Sequence, residues 1–282
     1  MDRANNAVAP VCLTIAGFDP SGGAGILADS RTFSAFGCTP TAAITSLTFQ
    51  NDRAVFGARH QSPATVREQV EAIVAQSQVV AVKTGMLPTA GIICEVVQLI
   101  REAQLPAPVV DPVLQSTSGF QLMEPEAIEV LLTDLMPLAR IITPNIPEAE
   151  QLTGLQIENE NDMHAAARRL REKGARAVLI KGGHLSQWSG VRDQGSVRSS
   201  NPTVREGSVQ AIDVLDDEGR VTLFRGEWID APPVRGTGCT LSAAIAACLA
   251  DGMKMEEAIG AAKSYITNVI RTHYFGLRAC NS

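Results

Sequence analysis

From Val79 to Val113 the chain reads VVAVKTGMLPTAGIICEVVQLIREAQLPAPVVDPV. Val79 to Lys83 is a short β-branched run, Ala90 to Ala103 carries an amphipathic helical pattern, and Val109 to Val113 is again short and apolar. Strand, helix and second strand, with strands apolar enough for burial on both faces, form the unit of a parallel sheet with crossover helices. The same alternation runs outward in both directions. It predicts strands over Val11 to Gly17, Ala42 to Phe49, Arg140 to Thr143 and Ala177 to Lys181, and helices over Thr65 to Gln76, Pro125 to Leu135 and Asp162 to Lys173. Asn161 and Asp162 offer caps for the last helix, and Gly174 ends it. The fold class is α/β.

After Lys181 the pattern changes. Ser186 to Gln210 is rich in Ser, Gly, Arg and Gln, has no periodic apolar face, and is longer than a usual loop, so it is expected to be a mobile insertion. Ala211 to Leu215 and Arg220 to Trp228 flank the turn cluster Asp216-Asp217-Glu218-Gly219, which predicts a small hairpin at the sheet edge. Helical patterns return over Cys239 to Ala250 and Met255 to Arg271. No internal repeat or interdomain linker is visible, so residues 1–282 read as one domain with a flexible stretch at 1–10.

The 282 residues are 45% hydrophobic, 19% charged and 4% aromatic, enough for a substantial core and incompatible with disorder or a small disulfide scaffold. Twenty-four Lys and Arg against 30 Asp and Glu give a net charge of -6, which argues against nucleic-acid or membrane partners. Cysteines at 12, 38, 94, 239, 248 and 280 lack CxxC spacing and fall mostly in apolar stretches, as reduced thiols do. No apolar run approaches the roughly 18 residues of a membrane span, and the start of the chain lacks a signal-peptide core. The expected location is cytoplasmic. His60, His164 and His273 have no metal-ligand spacing around them and read as surface residues.

Two glycine-rich loops carry the chemistry. Arg235-Gly236-Thr237-Gly238-Cys239-Thr240 opens the helix that continues from Leu241, leaving backbone N–H groups at the positive end of the helix dipole, a geometry that suits phosphate. The same spacing serves equally as a turn before an Ala-rich helix. A helix start lowers a thiol pKa, making Cys239 a candidate base; a small buried hydrophobe is the other reading. Gly17-Phe18-Asp19-Pro20-Ser21-Gly22-Gly23-Ala24-Gly25 lies between the first strand and an apparent helix from Ile26, and matches neither GxGxxG nor GxxxxGK[ST].

Taken together with the motifs between them, these loops resemble the hydroxymethylpyrimidine and phosphomethylpyrimidine kinases of thiamine synthesis, within the ribokinase-like superfamily. The resemblance rests on AGFDPSGGAG from Ala16 to Gly25, then Gln50-Asn51, Lys83-Thr84-Gly85-Met86, Asp111-Pro112-Val113, Thr143-Pro144-Asn145 with Glu148, Lys181-Gly182-Gly183-His184, and Gly236-Thr237-Gly238-Cys239-Thr240. These ordered motifs span the chain from Val11 to about Ile270.

The resemblance implies a ribokinase-like fold, with a central, mostly parallel sheet covered by helices on both faces and the site at the strand C-termini. It implies that Gly236, Thr237 and Gly238 form the anion hole for the transferred phosphoryl group and that Cys239 is the catalytic base. It places the pyrimidine near Gly17, Gln50 and Met86, with Asp29 as a further candidate for its polar edge. Asn145 and Lys181 are implied to meet ATP, and Glu148 and Asp111 the hydration shell of Mg2+. On their own, Asn145 and Glu148 read as well as a helix cap, and Lys181 as a solvated strand end.

Three features depart from the family. Phe18 stands where Ser or Thr usually precedes Asp-Pro, Arg235 stands where His is common and adds a cation near the expected phosphate path, and Ser186 to Gln210 is long. The resulting expectation is an ATP- and Mg2+-dependent kinase of 4-amino-5-hydroxymethyl-2-methylpyrimidine and its monophosphate, acting as a homodimer on a small molecule. A pyridoxal or pyridoxine kinase and an idle ligand-binding homologue are the alternatives.

Overall fold

β1 (Val11–Phe18) is the strand from which the rest of the sheet extends, because VCLTIAGF is apolar enough to be buried from Cys12 to Gly17 on both faces. The computed structural model describes residues 8–183, 210–229 and 234–280. On one side of β1 lie β2 (Thr39–Gln50) and β3 (Val55–His60); on the other lie β4 (Val79–Thr84), β5 (Val109–Val110), β6 (Ile141–Ile142), β7 (Ala177–Gly182), β8 (Gln210–Asp217) and β9 (Arg220–Glu227). The nine strands run in the order β3-β2-β1-β4-β5-β6-β7-β8-β9. From β2 to β7 every neighbouring pair is parallel, while β3, β8 and β9 pair antiparallel at the two edges. The mostly parallel sheet and its β8–β9 hairpin are as expected, while β3 is a strand the sequence reading did not include.

Helices cover both faces. α2 (Pro63–Val74), α3 (Ala90–Glu102), α4 (Pro125–Val130), α5 (Ile146–Thr153) and α6 (Glu160–Glu172) enclose one core with Leu13, Ile15, Val82 and Ile142. α1 (Gly25–Ala35), α7 (Thr237–Ala250) and α8 (Met255–Cys280) enclose the other, with Cys12, Phe33, Ile141 and Leu179. α3 shows how sequence produces this. Thr89 caps it by accepting from the Ile92 N–H, and Ile92, Ile93, Val96, Val97, Leu99 and Ile100 recur at helical spacing on its buried side. Each fully buried aliphatic chain contributes roughly 1.5–3 kcal/mol of transfer free energy. α7 is built differently: Ala243, Ala244, Ala246 and Ala247 let it sit deeply between α1 and α8.

Several boundaries differ from expectation. β5 and β6 are two residues each because Pro112 and Pro144, which lack an N–H, follow closely. α6 begins earlier than read: Asn159, not Asn161 or Asp162, is its N-cap, and Asp162 returns the second bond of the capping box. The expected helix Pro125 to Leu135 widens into a π turn over Leu131–Leu135 before Pro137 imposes a 3-10 turn. α8 continues to Cys280. The predicted insertion, apart from Gln210, lies outside the described residues, as do His184 and residues 1–7. Among the described residues no helix is long and apolar enough to cross a membrane.

Candidate active site

The parallel strands deliver their motifs to one edge. Gly17 lies in β1 near its end, Lys83 and Thr84 close β4, Asp111 follows β5, Thr143 and Asn145 follow β6, and Lys181 and Gly182 close β7. The loop Arg235 to Gly238 and the start of α7 stand over that edge, as a Cβ placed on Gly238 would lie 3.2 Å from Lys181 Nζ and 3.8 Å from Asp111 Oδ2.

Glycine is required where the two loops meet. Gly236 has φ +72°, and a Cβ there would stand 2.0 Å from the Gly23 carbonyl oxygen; Gly25 has φ +60° and would meet Gly17 O at 2.2 Å. Asp19, which sequence reasoning gave no role, holds the first loop: its Oδ1 accepts from the Ser21 N–H at 2.9 Å and Oγ–H at 2.7 Å, and its Oδ2 accepts from the Ala24 N–H at 3.0 Å. An Asp two residues before Ser in a glycine-rich turn is the recognisable signal for such a turn.

Lys181 is the electrostatic centre. Its Nζ donates to Asp111 Oδ1 at 2.8 Å and lies 4.0 Å from Glu148 Oε2. Asp111 also accepts from Thr143 Oγ1 at 3.2 Å and, through Oδ2, from Ser242 Oγ at 3.3 Å. Burial would push the Asp111 carboxyl up, but Lys181 and Lys83 outweigh it and hold it below the usual range. Burial opposes the Lys181 charge in turn, and Asp111 and Glu148 raise it above the ordinary lysine value. Glu148 is pushed up to about 7, because its burial and the neighbouring Asp111 exceed the help from Lys181 and the Asn145 amide. Ser242, a turn into α7, was invisible as a site residue because a Ser in an Ala-rich helix reads as packing.

Asn145 and Glu148 form a capping box at the start of α5: Asn145 Oδ1 accepts from the Glu148 N–H at 2.9 Å, and Glu148 Oε2 accepts from the Asn145 N–H at 2.8 Å. The cap also sets the Glu148 carboxylate beside Lys181, so structural and chemical readings of this pair are compatible. Lys181 is 13% exposed at its side chain and ion-paired, which corrects the alternative of a solvated strand end.

Asp29 departs from its expected place at the substrate edge. It is fully buried in α1, and its Oδ2 accepts from Thr14 Oγ1 at 2.6 Å and Lys83 Nζ at 2.8 Å. Burial lowers a lysine pKa, yet Asp29, Cys239 and Asp111 together raise that of Lys83. Asp29 therefore supports the floor of the site rather than reaching into it.

Cys239 is half-buried in the first turn of α7, with the Gly25 N–H directed at it. The expected lowering of its pKa is reversed. Burial pushes the thiol up to about 11, Asp111 and Asp29 add to the rise, and the Lys83 charge and the Gly25 N–H recover only part of it.

Gly17 and Met86 are brought together: a Cβ on Gly17 would lie 2.9 Å from Met86 Sδ, and the Met86 carbonyl is fixed by Thr45 Oγ1 at 2.6 Å. Gln50 stands at the end of β2. Its amide oxygen accepts from Arg235, which also donates to the Asn51 carbonyl and lies 4.0 Å from Asp19 Oδ2. The Arg235 guanidinium is thus turned to Gln50 and Asn51. The cause is that three acceptors converge there.

A glycine-rich loop at the head of a helix, facing an acidic and basic cluster at the ends of parallel strands, is the architecture of the ribokinase-like small-molecule kinases that this chain resembles in structure. Residues 19–280 match the phosphomethylpyrimidine kinase family, and the chain belongs to that family of phosphotransferases. It is 41% identical over 259 residues to the thiamine biosynthesis bifunctional protein ThiED of Geobacter sulfurreducens, covering 92% of this chain and 49% of that longer protein. The crystal structure of phosphomethylpyrimidine kinase from Clostridium difficile 630 matches with TM-score 0.75 and 39% identity, over 93% of this chain and 99% of that one. An ADP complex of Bacillus subtilis pyridoxal kinase matches with TM-score 0.76 and 37% identity, over 92% and 91% of the two chains.

Proposed function

We propose that this chain is an ATP- and Mg2+-dependent kinase that phosphorylates the hydroxymethyl group of 4-amino-5-hydroxymethyl-2-methylpyrimidine and then its monophosphate, for thiamine synthesis. The observation that carries this is the Gly236-to-Cys239 loop standing over Lys181 and Asp111 at the strand ends. Phosphoryl transfer asks a protein mainly for positioning and charge stabilisation. Amides at the start of α7 and the Lys181 ammonium supply the positive field for a transferring phosphoryl group.

Asp111 and Glu148 would hold Mg2+. They are hard oxygen donors, a pair rather than a full cage, which suits a cation that keeps most of its water. When bound, the ion neutralises phosphate charge. Asn145, beside Glu148 and Lys181, contributes to the nucleotide side. Cys239, at the head of α7, takes the proton from the substrate hydroxyl, and Lys83 is the cation that favours its thiolate against burial.

On the acceptor side, Gly17 and Met86 form an apolar wall for the ring, and Gln50 offers its amide to the aminopyrimidine edge. Pyridoxal kinase is the second reading, favoured by the Bacillus subtilis likeness, whose identity is nearly that of the phosphomethylpyrimidine kinase. The whole chain acts as one cytoplasmic kinase domain, as a homodimer. Mass analysis of the product tests the reading: incubation with ATP, Mg2+ and the pyrimidine gives the monophosphate and then the diphosphate, and an unaltered pyrimidine would refute it.

A further inference from the structure

Arg235 is the first residue of the anion loop, yet its side chain leaves that loop and crosses to the end of β2. One guanidinium nitrogen donates to the Asn51 carbonyl and the other to Gln50 Oε1, and the second also lies 4.0 Å from Asp19 Oδ2. Arginine carries donors only, so the amide atom that faces it must be the oxygen, and Nε2 takes the other side of the amide plane. A flipped amide would set –NH2 against guanidinium, donor against donor.

We infer that Arg235 is a positioning residue that sets ring selectivity by locking the Gln50 amide in one flip state. The inference rests on the reading of the chain as a hydroxymethyl-heteroaromatic kinase with Gln50 at the ring. A carbonyl oxygen has two acceptor sites, and Arg235 occupies one. Gln50 therefore presents a fixed pair, one acceptor site on Oε1 beside the Nε2 donors. An aminopyrimidine offers the complement, an amino donor next to a ring-nitrogen acceptor. A hydroxypyridine such as pyridoxal has no amino donor at its edge. A locked amide binds the matching edge without first losing rotational freedom, and cannot turn to suit the other. The lock also joins three elements at once, since Asp19 belongs to the first loop, Gln50 and Asn51 to the end of β2, and Arg235 to the anion loop.

The test compares the pyrimidine, its monophosphate and pyridoxal in wild type, Arg235→Met, Arg235→Lys, Gln50→Ala and the Gln50→Ala/Arg235→Met double variant. Arg235→Met should raise KM for the pyrimidine about tenfold with kcat within about threefold, and cut the pyrimidine-over-pyridoxal ratio of kcat/KM by about tenfold. Arg235→Lys, which retains a donor, should recover part of the ratio. In the Gln50→Ala background, removing Arg235 should leave the ratio unchanged within about twofold, because the residue through which it acts is gone. A merely structural Arg235 would lower Tm and kcat for both rings and leave their ratio alone. An unmoved ratio in an active Arg235→Met enzyme overturns the inference. So does a loss confined to the monophosphate substrate, which would make Arg235 a phosphate contact. Wild-type enzyme that neither binds nor phosphorylates either ring overturns the functional reading, and this inference with it.

Discussion

Lys83 Nζ lies 2.8 Å from Asp29 Oδ2, and neither side chain is exposed to solvent at all. The pair joins α1 to β4 beneath Cys239, so it belongs at once to the core and to the floor of the site. Thr14 completes the environment from β1.

Removing one member of a buried ion pair leaves a charge with no partner, which costs about 3–5 kcal/mol, whereas removing both together with apolar replacement is often neutral. Lys83→Met should accordingly lower the urea midpoint sharply, and Asp29→Leu/Lys83→Met should regain most of the loss. Equal destabilisation by the single and double variants would contradict a paired role for Asp29.

Glu148 sets a pH dependence whose sign follows from its raised pKa. Its carboxyl ordinarily titrates at 4.5 and stands at about 7 in the folded chain, so the folded state holds a proton that the unfolded state has lost between those values. Its contribution to ligand-free stability is complete below about pH 4.5 and is lost as pH rises through about 7. Metal binding uses the ionised form, so the Mg2+ concentration for half-maximal activity should fall as pH rises from about 6 to 8. Glu148→Gln should raise that concentration and flatten its pH dependence; a parallel slope in the variant would return Glu148 to capping alone.

How far the sequence foretells this architecture depends on which signals are local. The alternation in Val79 to Val113 gives β4 and α3 almost as found and places β5, though only its first two residues form the strand, because buried parallel strands are continuous apolar runs and α3 has a clean amphipathic face. β3 escapes the same reading: Val55–His60 contains Gly57, ends in Arg59 and His60, and is an edge strand in which only Val55 is buried. The site separates along the same line. Residues named by ordered motifs, such as Asp111, Glu148 and Lys181, do converge. The Lys83 partnership of Asp29, 54 positions away, and the reach of Arg235 to Gln50, 185 positions away, are long-range pairings that no local pattern records.

Cys239, the proposed base, carries a thiol that burial pushes up to about 11. The thiolate fraction therefore grows tenfold per pH unit through neutrality, and kcat should climb from about pH 7 to 9 with no plateau. Cys239→Ala should lower kcat by roughly a hundredfold or more and abolish that climb, with ATP affinity nearly unchanged. Turnover within a few-fold of wild type would remove Cys239 from the base role.

Gly236→Ala probes the anion loop itself. A side chain at φ +72° with its Cβ 2.0 Å from Gly23 O cannot be accommodated unless the loop shifts. The amides of Thr237 and Gly238 move with it, so kcat should fall about tenfold or more while far-UV circular dichroism stays that of wild type. Unchanged kcat would mean that these amides do not face the transferred group.

The claim that the Gly17, Gln50 and Met86 wall is built for an aminopyrimidine is tested most directly by ADP release at saturating ATP and Mg2+ over a range of pyrimidine and pyridoxal concentrations. A site built around a polar edge loses more from a missing hydrogen-bond partner than an apolar site loses from a methyl group. The hydroxymethylpyrimidine should be preferred by at least about tenfold in kcat/KM. Equal efficiency on the two rings, or a preference for pyridoxal, would contradict it.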